Sequence, residues 1–394
     1  MSNASASTRA PMQVLYLASA VSQAAIGVLF PLLADLQDRY DLPTWGLGAM
    51  TGAAFATSLM VQLGVAPLAD RGHARRLLLG GLILGSLTLV GLALSSQLWQ
   101  FILGRAFLGA AAGTFAPACQ AVVAAAPADG TGAGERLGRL TAWNLGGFTI
   151  SPVVGTLLAR QFGLKTPFWV FSVVLAIAVI LLWRVRVPKL QTADSPRLAL
   201  DLLRLPPVRS VVLLNMALYA PVGIYDSLWA RYLKDQGASA VFVGVSLSLF
   251  TIPFILLATR GGRFADRIGP RRAAIGSLFV VVPATVLYGS FDSPWLISGV
   301  GIFDAVGQAV AMPAVQSAMA AASPPGRSAA GQGLSGAMGI AAAGLASLLA
   351  APAYEELGPF VLFTIAAATV AGLGALAAMT GRPAKVVAAS VNVS

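Results

Sequence analysis

Charge is the first thing this sequence lacks. Of its 394 residues only 10% are Asp, Glu, Lys or Arg, against about 25% in soluble domains, so its surface cannot mostly face water. Cysteine occurs once, at Cys119, and histidine once, at His73. A single cysteine excludes an intrachain disulfide and a cysteine-held metal cluster. A single histidine leaves no basis for a His-containing catalytic triad or a His-ligated metal. No G-x-x-x-x-G-K-[ST] loop is present, which argues against direct drive by nucleotide hydrolysis. The chain is therefore expected not to be an enzyme, and to need neither cofactor nor metal.

What it has is apolar length. Hydrophobic residues make up 57% of the chain and the mean hydropathy is +0.78. Runs of about 20 apolar residues, enough to cross a bilayer, fill nearly all of it. Breaks at charges and Gly/Pro turns predict spans at 14–34, 45–68, 77–96, 101–125, 139–159, 167–184, 209–230, 241–261, 273–291, 295–320, 331–351 and 359–380. The fold class expected is an all-α membrane protein of twelve transmembrane helices. Residues 1–13 carry no cleavage pattern and lead into a full span, which predicts a retained helix. Loop charges alternate: 20 Lys and Arg fall on the side holding both termini, five on the other, and Arg105 falls within a span. The positive-inside rule puts both termini in the cytoplasm. The net charge of +11 and pI near 10.5 then report topology, and no nucleic-acid partner is expected. Short loops and termini suggest a plasma membrane of the bacterial inner type.

The chain repeats itself at an offset of 196 residues. Leu68-Ala69-Asp70-Arg71 with Arg75-Arg76 aligns with Phe264-Ala265-Asp266-Arg267 with Arg271-Arg272, Gly27 with Gly223, Pro117 with Pro313, and Gln120 with Gln316. This predicts two pseudo-symmetric six-helix bundles, residues 1–187 and 209–394, related by an axis along the membrane normal, with a cytoplasmic linker at 188–208. Ser195-Pro196 would start a short amphipathic helix there; an ordinary linker with a helical turn fits as well.

Residues 262–272 read Gly-Arg-Phe-Ala-Asp-Arg-Ile-Gly-Pro-Arg-Arg and resemble in full the G-x-x-x-D-R-x-G-x-R-R signature of the major facilitator superfamily. Residues 66–76 keep Asp70, Arg71, Arg75 and Arg76, but Ala66 replaces the first glycine and the second shifts to Gly72, a departure that would loosen helix contact in the first half. The resemblance implies a cytoplasmic gate built from Asp70, Arg71, Arg75, Arg76, Asp266, Arg267, Gly269, Arg271 and Arg272, in which each Asp pairs with arginines and caps a helix. Two further strings narrow the type. Arg105 with Gly109 resembles the R-x-x-x-G element of proton-coupled members. Gly147, Ser151, Pro152 and Gly155 resemble the antiporter signature G-x-x-x-G-P-x-x-G, with Ser151 replacing the middle glycine; small residues permit close packing and the proline bends the helix.

Polar residues on one face of a span mark a wet path. Ser19 and Gln23 lie one turn apart in the first span, with Gly27 and Phe30 extending the stripe; Asn215, Tyr219 and Asp226 share a face in the seventh. Gln120, Gln308 and Gln316 add amides, and Trp143, Phe148, Tyr225 and Trp229 aromatic wall. Asp226 and Asp304 are the acids well within spans, and with Arg105 they are the expected proton-coupling residues. Asp35, beside Asp38 and Asp41, is expected to be solvated.

The expected function is a secondary active transporter, of the drug:proton antiporter type, exporting a small hydrophobic or amphipathic solute by alternating access and working as a monomer. Few fixed charges in the cavity suit such a solute better than a phosphorylated sugar. The alternatives are an importer of a small metabolite, proton-coupled or facilitative, and a non-transporting membrane sensor or scaffold.

Overall fold

A computed structural model of the chain describes residues 2–126, 131–188, 190 and 198–380. The described chain is helical. It comprises α1 (Ser2–Gly27), α2 (Leu33–Tyr40), α3 (Thr44–Gly64), α4 (Ala74–Leu94), α5 (Leu98–Ala125), α6 (Ala133–Phe162) and α7 (Thr166–Arg184) in the first half. The second half comprises α8 (Pro206–Asp235), α9 (Ala240–Ile268), α10 (Pro270–Tyr288), α11 (Pro294–Ala322) and α12 (Ser328–Thr380). Helix α12 is two spans in one: Gly358, at φ 78°, breaks it into arms 328–357 and 359–380. With α2 set aside as a short helix following the first span, twelve spans result.

Local sequence sets where these helices start. Proline occupies the first turn of α7, α8, α10 and α11, where its missing N–H has no partner to lose. Gln97 and Gln100 form a reciprocal capping box at α5, and the Ser239 hydroxyl accepts from Phe242 N at 3.2 Å to cap α9. Among the described residues, eight segments are long and apolar enough to cross a membrane. Helices α1, α3, α6 and α9 complete the set, α1 and α6 with polar residues along their length, such as Ser19, Ser22 and Gln23 of α1 and Thr141, Asn144 and Thr149 of α6.

Two expectations need correction. The first span ends at Gly27, and a 3-10 turn at Phe30–Leu32 separates it from α2, whose Asp35 and Asp38 are exposed. The linker has a 3-10 helix, Ala199–Arg204, instead of an amphipathic α-helix: Ala199 and Leu202 are buried against the second half, while Leu198 and Leu205 stay exposed. Ser195 and Pro196 lie outside the described residues. The shifted glycine of the first loop also has a reason. Gly72 (φ 88°) sits in a π-turn, Ala69–His73, while Gly269 (φ 96°) separates α9 from α10. Both loops need one left-handed residue, which glycine supplies without steric cost; the first loop turns one position earlier.

Each half has its own core. One cluster gathers Leu29, Leu78, Phe101, Phe115 and Phe168; another gathers Val211, Leu218, Val281, Val315 and Leu334. The halves meet where α6 packs on α9 and where the first arm of α12 packs on α3 and α5.

Candidate functional site

The face carrying the two motif loops is closed by two carboxylates that cross between the halves. Asp266, at the end of α9, accepts from Gly134 N at 2.7 Å and Glu135 N at 2.8 Å, the first amides of α6. Asp70, fully buried in the first loop, accepts from Ala329 N at 2.8 Å and Ala330 N at 2.7 Å, the first amides of α12. Each aspartate thus binds the positive end of a helix belonging to the other half, where four amides have no helical partner.

Glycines let the backbones come this near. A Cβ on Gly134 would lie 2.5 Å from Gly262 O, one on Gly262 would lie 2.0 Å from Gly134 O, and one on Gly138 would lie 2.3 Å from Ala258 O. At the other contact Ala66 fills the place that Gly262 holds in the repeat. Contact there is not loosened: Ala66 is fully buried, and its Cβ lies 2.5 Å from where a Cβ on Gly333 would be. The missing glycine has changed sides of the interface.

The basic residues divide by task. Arg263 bonds Glu135 at 2.9 Å across the halves, and Arg139 bonds the same carboxylate at 2.7 Å from within α6. Arg327, just before α12, grips Asp201 of the linker with both terminal nitrogens, one at 2.8 Å. Arg75 and Arg271 pair with no acid in the described structure, contrary to the gate expected: Arg75 donates to Trp183 O at 2.6 Å, and Arg271 to Ala377 O and Ala378 O at 3.0 Å. Each ties the loop to the last helix of its own half by binding the negative end. Arg71, Arg76, Arg267 and Arg272 are exposed. Glu135 and Asp201 both lie outside the spans. The Arg263 hydrogen bond, seconded by Arg139, holds the Glu135 carboxyl below the usual carboxylate range, and Arg327 does the same for Asp201.

Several residues expected in a wet path are turned into helix contacts. Ser19 is buried and donates to Asn144 of α6. Asn215 is buried and donates to Ser335 O at 2.7 Å, and it and Tyr219 pack against Gly339 of α12. Gln23, Gln120 and Gln316 are half-buried and Trp143 is 46% exposed. Gln332 donates to Gln316 O at 2.8 Å, the repeat counterpart of Arg136, which binds Val123 O and Ala124 O at 3.0 and 2.9 Å. The side chains of Phe30 and Asp226 lie outside the described residues. Arg105 is buried at 3% exposure within the first half. Asp304 and Gln308 are buried in the second half. Helix α6 runs unbroken through Pro152, and its motif face packs on α1: a Cβ on Gly147 would lie 2.0 Å from Ala20 O, one on Gly155 2.5 Å from Val28, and buried Ser151 lies against Gly27. A groove of about 420 Å³ between α4 and α5 is lined by Leu87, Leu94, Trp99 and Phe107 among others, and includes Gly104 next to Arg105.

Sequence reasoning missed Asn144, Ser335, Glu135, Arg263, Asp201 and Arg327. Arg263 stands inside the quoted motif, and Glu135 is the acid at the head of a span; only the cross-half pairing was invisible.

The sequence profile of the Major Facilitator Superfamily matches residues 15–228 and again 211–391. The chain is 25% identical over 320 residues to the multidrug resistance protein MdtG of Dickeya zeae, covering 77% of this chain and 78% of that one. To MdtG of Proteus mirabilis it is 26% identical over 300 residues, covering 71% and 72%. Among solved structures, the human organic anion transporter MFSD10 superposes with a TM-score of 0.80 at 19% identity, over 94% of this chain and 99% of that one. The fucose:proton symporter FucP of E. coli superposes with a TM-score of 0.81 at 14% identity, over 95% and 100%. With one family profile matched by each half, and the two halves closing on each other through one loop motif, the chain belongs to the Major Facilitator Superfamily and is a secondary transporter of the membrane.

Proposed function

We propose that this transporter exports small hydrophobic or amphipathic solutes in exchange for protons, by rocking its halves about a central site. The observation that carries the reading is the reciprocal pair of caps, Asp70 on α12 and Asp266 on α6. Bonds that tie one half to the other on one face, made by flexible side chains to helix ends, are the kind that must break when that face opens. The motif-loop face is the cytoplasmic one by its basic residues, so the state described is closed toward the cytoplasm. Both termini are cytoplasmic, the membrane is a bacterial inner membrane, the halves divide at residues 188–208, and the monomer is the working unit.

Export is supported by the relatives called multidrug resistance proteins and by the antiporter-like face of α6. An importer of a small polar metabolite would need free cavity amides to hydrogen-bond it, and Asn215 is spent on a backbone carbonyl. Arg105 and Asp304 are the buried ionisable groups through which a proton gradient would act; Asp226 stays a candidate by position in the sequence.

The test is flux in proteoliposomes under an imposed proton gradient, with a panel of lipophilic cations. Transport of at least one that collapses with the gradient, and is lost in Asp304→Asn, is expected. Flux indifferent to the gradient would make the protein a uniporter and end the antiporter reading.

A further inference from the structure

On the face opposite the motif loops, the repeat inverts its charges. Helix α2 ends at Tyr40 and α8 at Asp235, and each is followed by a helix that runs to a motif loop, so both ends lie on that opposite face. At the offset of 196, Asp35 aligns with Arg231, Asp38 with Lys234 and Arg39 with Asp235. All of these are exposed. The structure keeps the register: Leu36 and Tyr232 are buried at equivalent positions. The left-handed residue that follows each helix is Asp41 (φ 48°) in the first half and its counterpart Gly237 (φ 84°) in the second. With only 10% of residues charged, three aligned pairs of opposite sign are not an accident of composition.

An axis along the membrane normal places equivalent residues at one depth, on opposite sides of the axis. When a face closes, residues nearest the axis meet their own counterparts, as in any two-fold contact. A faithful repeat would then press like charges together. Here every combination of Asp35 or Asp38 with Arg231 or Lys234 is attractive, and Arg39 has Asp235.

In the state described, Arg231 is held within its own half. It bonds Glu355 of α12 at 2.9 Å, lies 4.0 Å from Asp235 and sits over the Tyr354 ring, 5.8 Å from its centroid. The Tyr354 hydroxyl donates to Asp235 at 2.7 Å. Helix α2 likewise packs on α3 of the first half. The Arg231 and Glu355 side chains are 53% and 58% exposed, so their pair is weak enough to exchange.

We propose that Asp35, Asp38 and Arg39 form a charge lock with Arg231, Lys234 and Asp235, which closes this face when the motif-loop face opens. Arg231 then exchanges Glu355 of its own half for Asp35 of the other, and Lys234 takes Asp38. The inference rests on the rocking of the halves and deepens it, since the two faces are held by different chemistry. Carboxylates on helix amides close the motif-loop face. Exposed ion pairs close the other, where salt screens them.

The lock is read from the far face, with no substrate. Thr259 lies on α9 where Gly138 of α6 presses against it, and the native Cys119 is buried. Labelling of Thr259→Cys by a water-soluble maleimide, in the purified full-length protein, therefore follows opening of the motif-loop face. Asp38→Lys and Lys234→Asp each set like charges together and should slow labelling about twofold to fivefold. The double variant, with the charges swapped, should return to the wild-type rate. Glu355→Gln frees Arg231 for the other half and should speed labelling by a similar factor. These differences should fade in about 1 M salt, where the screening length is about 3 Å. In separate protein, a short bismaleimide should join Asp38→Cys to Lys234→Cys, read by mass spectrometry after digestion. Single variants at the wild-type rate, a double variant no faster than the singles, or no cross-link overturns the lock. Size exclusion checks folding; Glu355→Gln and the cysteine pair carry the test if a swap variant does not fold. Gradient-driven flux is measured on the same preparations: restored labelling without any flux would sink the exporter reading and leave the lock standing.

Discussion

At the scale of residues, the two aspartates of the motif loops are worth more than surface charges because each oxygen accepts from a backbone amide that has no other partner. A charge-assisted bond contributes about 1.5–3 kcal/mol and a neutral one about 0.5–1.5. Replacing Asp70 or Asp266 with Asn keeps the shape and removes the charge, so each variant should open the motif-loop face about tenfold more often. A thiol at Thr259, on α9 where Gly138 of α6 presses against it, reports this, since the native Cys119 is buried and silent. Labelling of Thr259→Cys by a water-soluble maleimide should accelerate in either variant; an unchanged rate would show that the caps do not hold the face shut. Glu135 gives a pH-dependent counterpart. Its carboxyl is held low by Arg263, so the pair's contribution is complete above the ordinary glutamate value of about 4.3 and is lost only as pH falls through the lower folded value. With Arg263 half-exposed and screened by solvent, its pairing with buried Glu135 contributes about 0.2–1 kcal/mol, so Arg263→Ala should label up to about fivefold faster than wild type. That difference should stay constant from about pH 8 to about pH 5 and close only below about pH 4. A difference already closed near pH 6 would mean the pair does not form in solution. The motif named the aspartates from sequence alone, but their partners are backbone amides, which no sequence pattern marks. Likewise Ser19 and Asn215 read as a cavity stripe because periodicity tells which residues share a face, and not whether that face meets water or another helix.

At the scale of elements, hydropathy carried the fold. Twelve apolar runs became twelve spans because the bilayer leaves the backbone no alternative to helix. What hydropathy missed is where a helix stops without a polar signal. Span one ends at Gly27 within a run that continues apolar to Ala34, and the last two spans fuse around Gly358. Close approach was equally hidden, since 42 glycines look alike until the neighbours are known. Gly134 and Gly262 are the ones whose missing side chains let α6 and α9 touch across the halves, whereas a Cβ on Gly344 would meet nothing within 4 Å. Gly134→Leu should therefore wedge the motif-loop face open, bring Thr259→Cys labelling to its maximum and cut flux at least about tenfold, while Gly344→Leu stays near wild type. Overpacking of this kind costs about 1–3 kcal/mol, comparable to one cap, so the protein should still fold and run as a single peak on size exclusion. If Gly134→Leu transports normally, the α6–α9 contact is not part of the closing surface.

At the scale of the whole molecule, the repeat makes two closures from one motif but does not make them equal. The α6–α9 side adds an ion pair between halves, Glu135 with Arg263, while on the α3–α12 side Arg327 is turned to the linker's Asp201, and the linker lies against the helix whose amides Asp70 holds. The sides differ in what reinforces them; the question is whether they open together. If the halves are rigid bodies with one open–closed equilibrium, each lost cap multiplies the open fraction, because free energies of separate sites acting on one equilibrium add. Asp70→Asn with Asp266→Asn should then raise labelling at Thr259 by the product of the two single effects, about a hundredfold if each is about tenfold, until the face is mostly open. If each cap instead guards its own local fraying, the Thr259 reporter on α9 responds to Asp266→Asn alone, and adding Asp70→Asn changes nothing. The first outcome is the one alternating access requires: a cap on one side of the molecule must be felt on the other, through two cores that move without deforming.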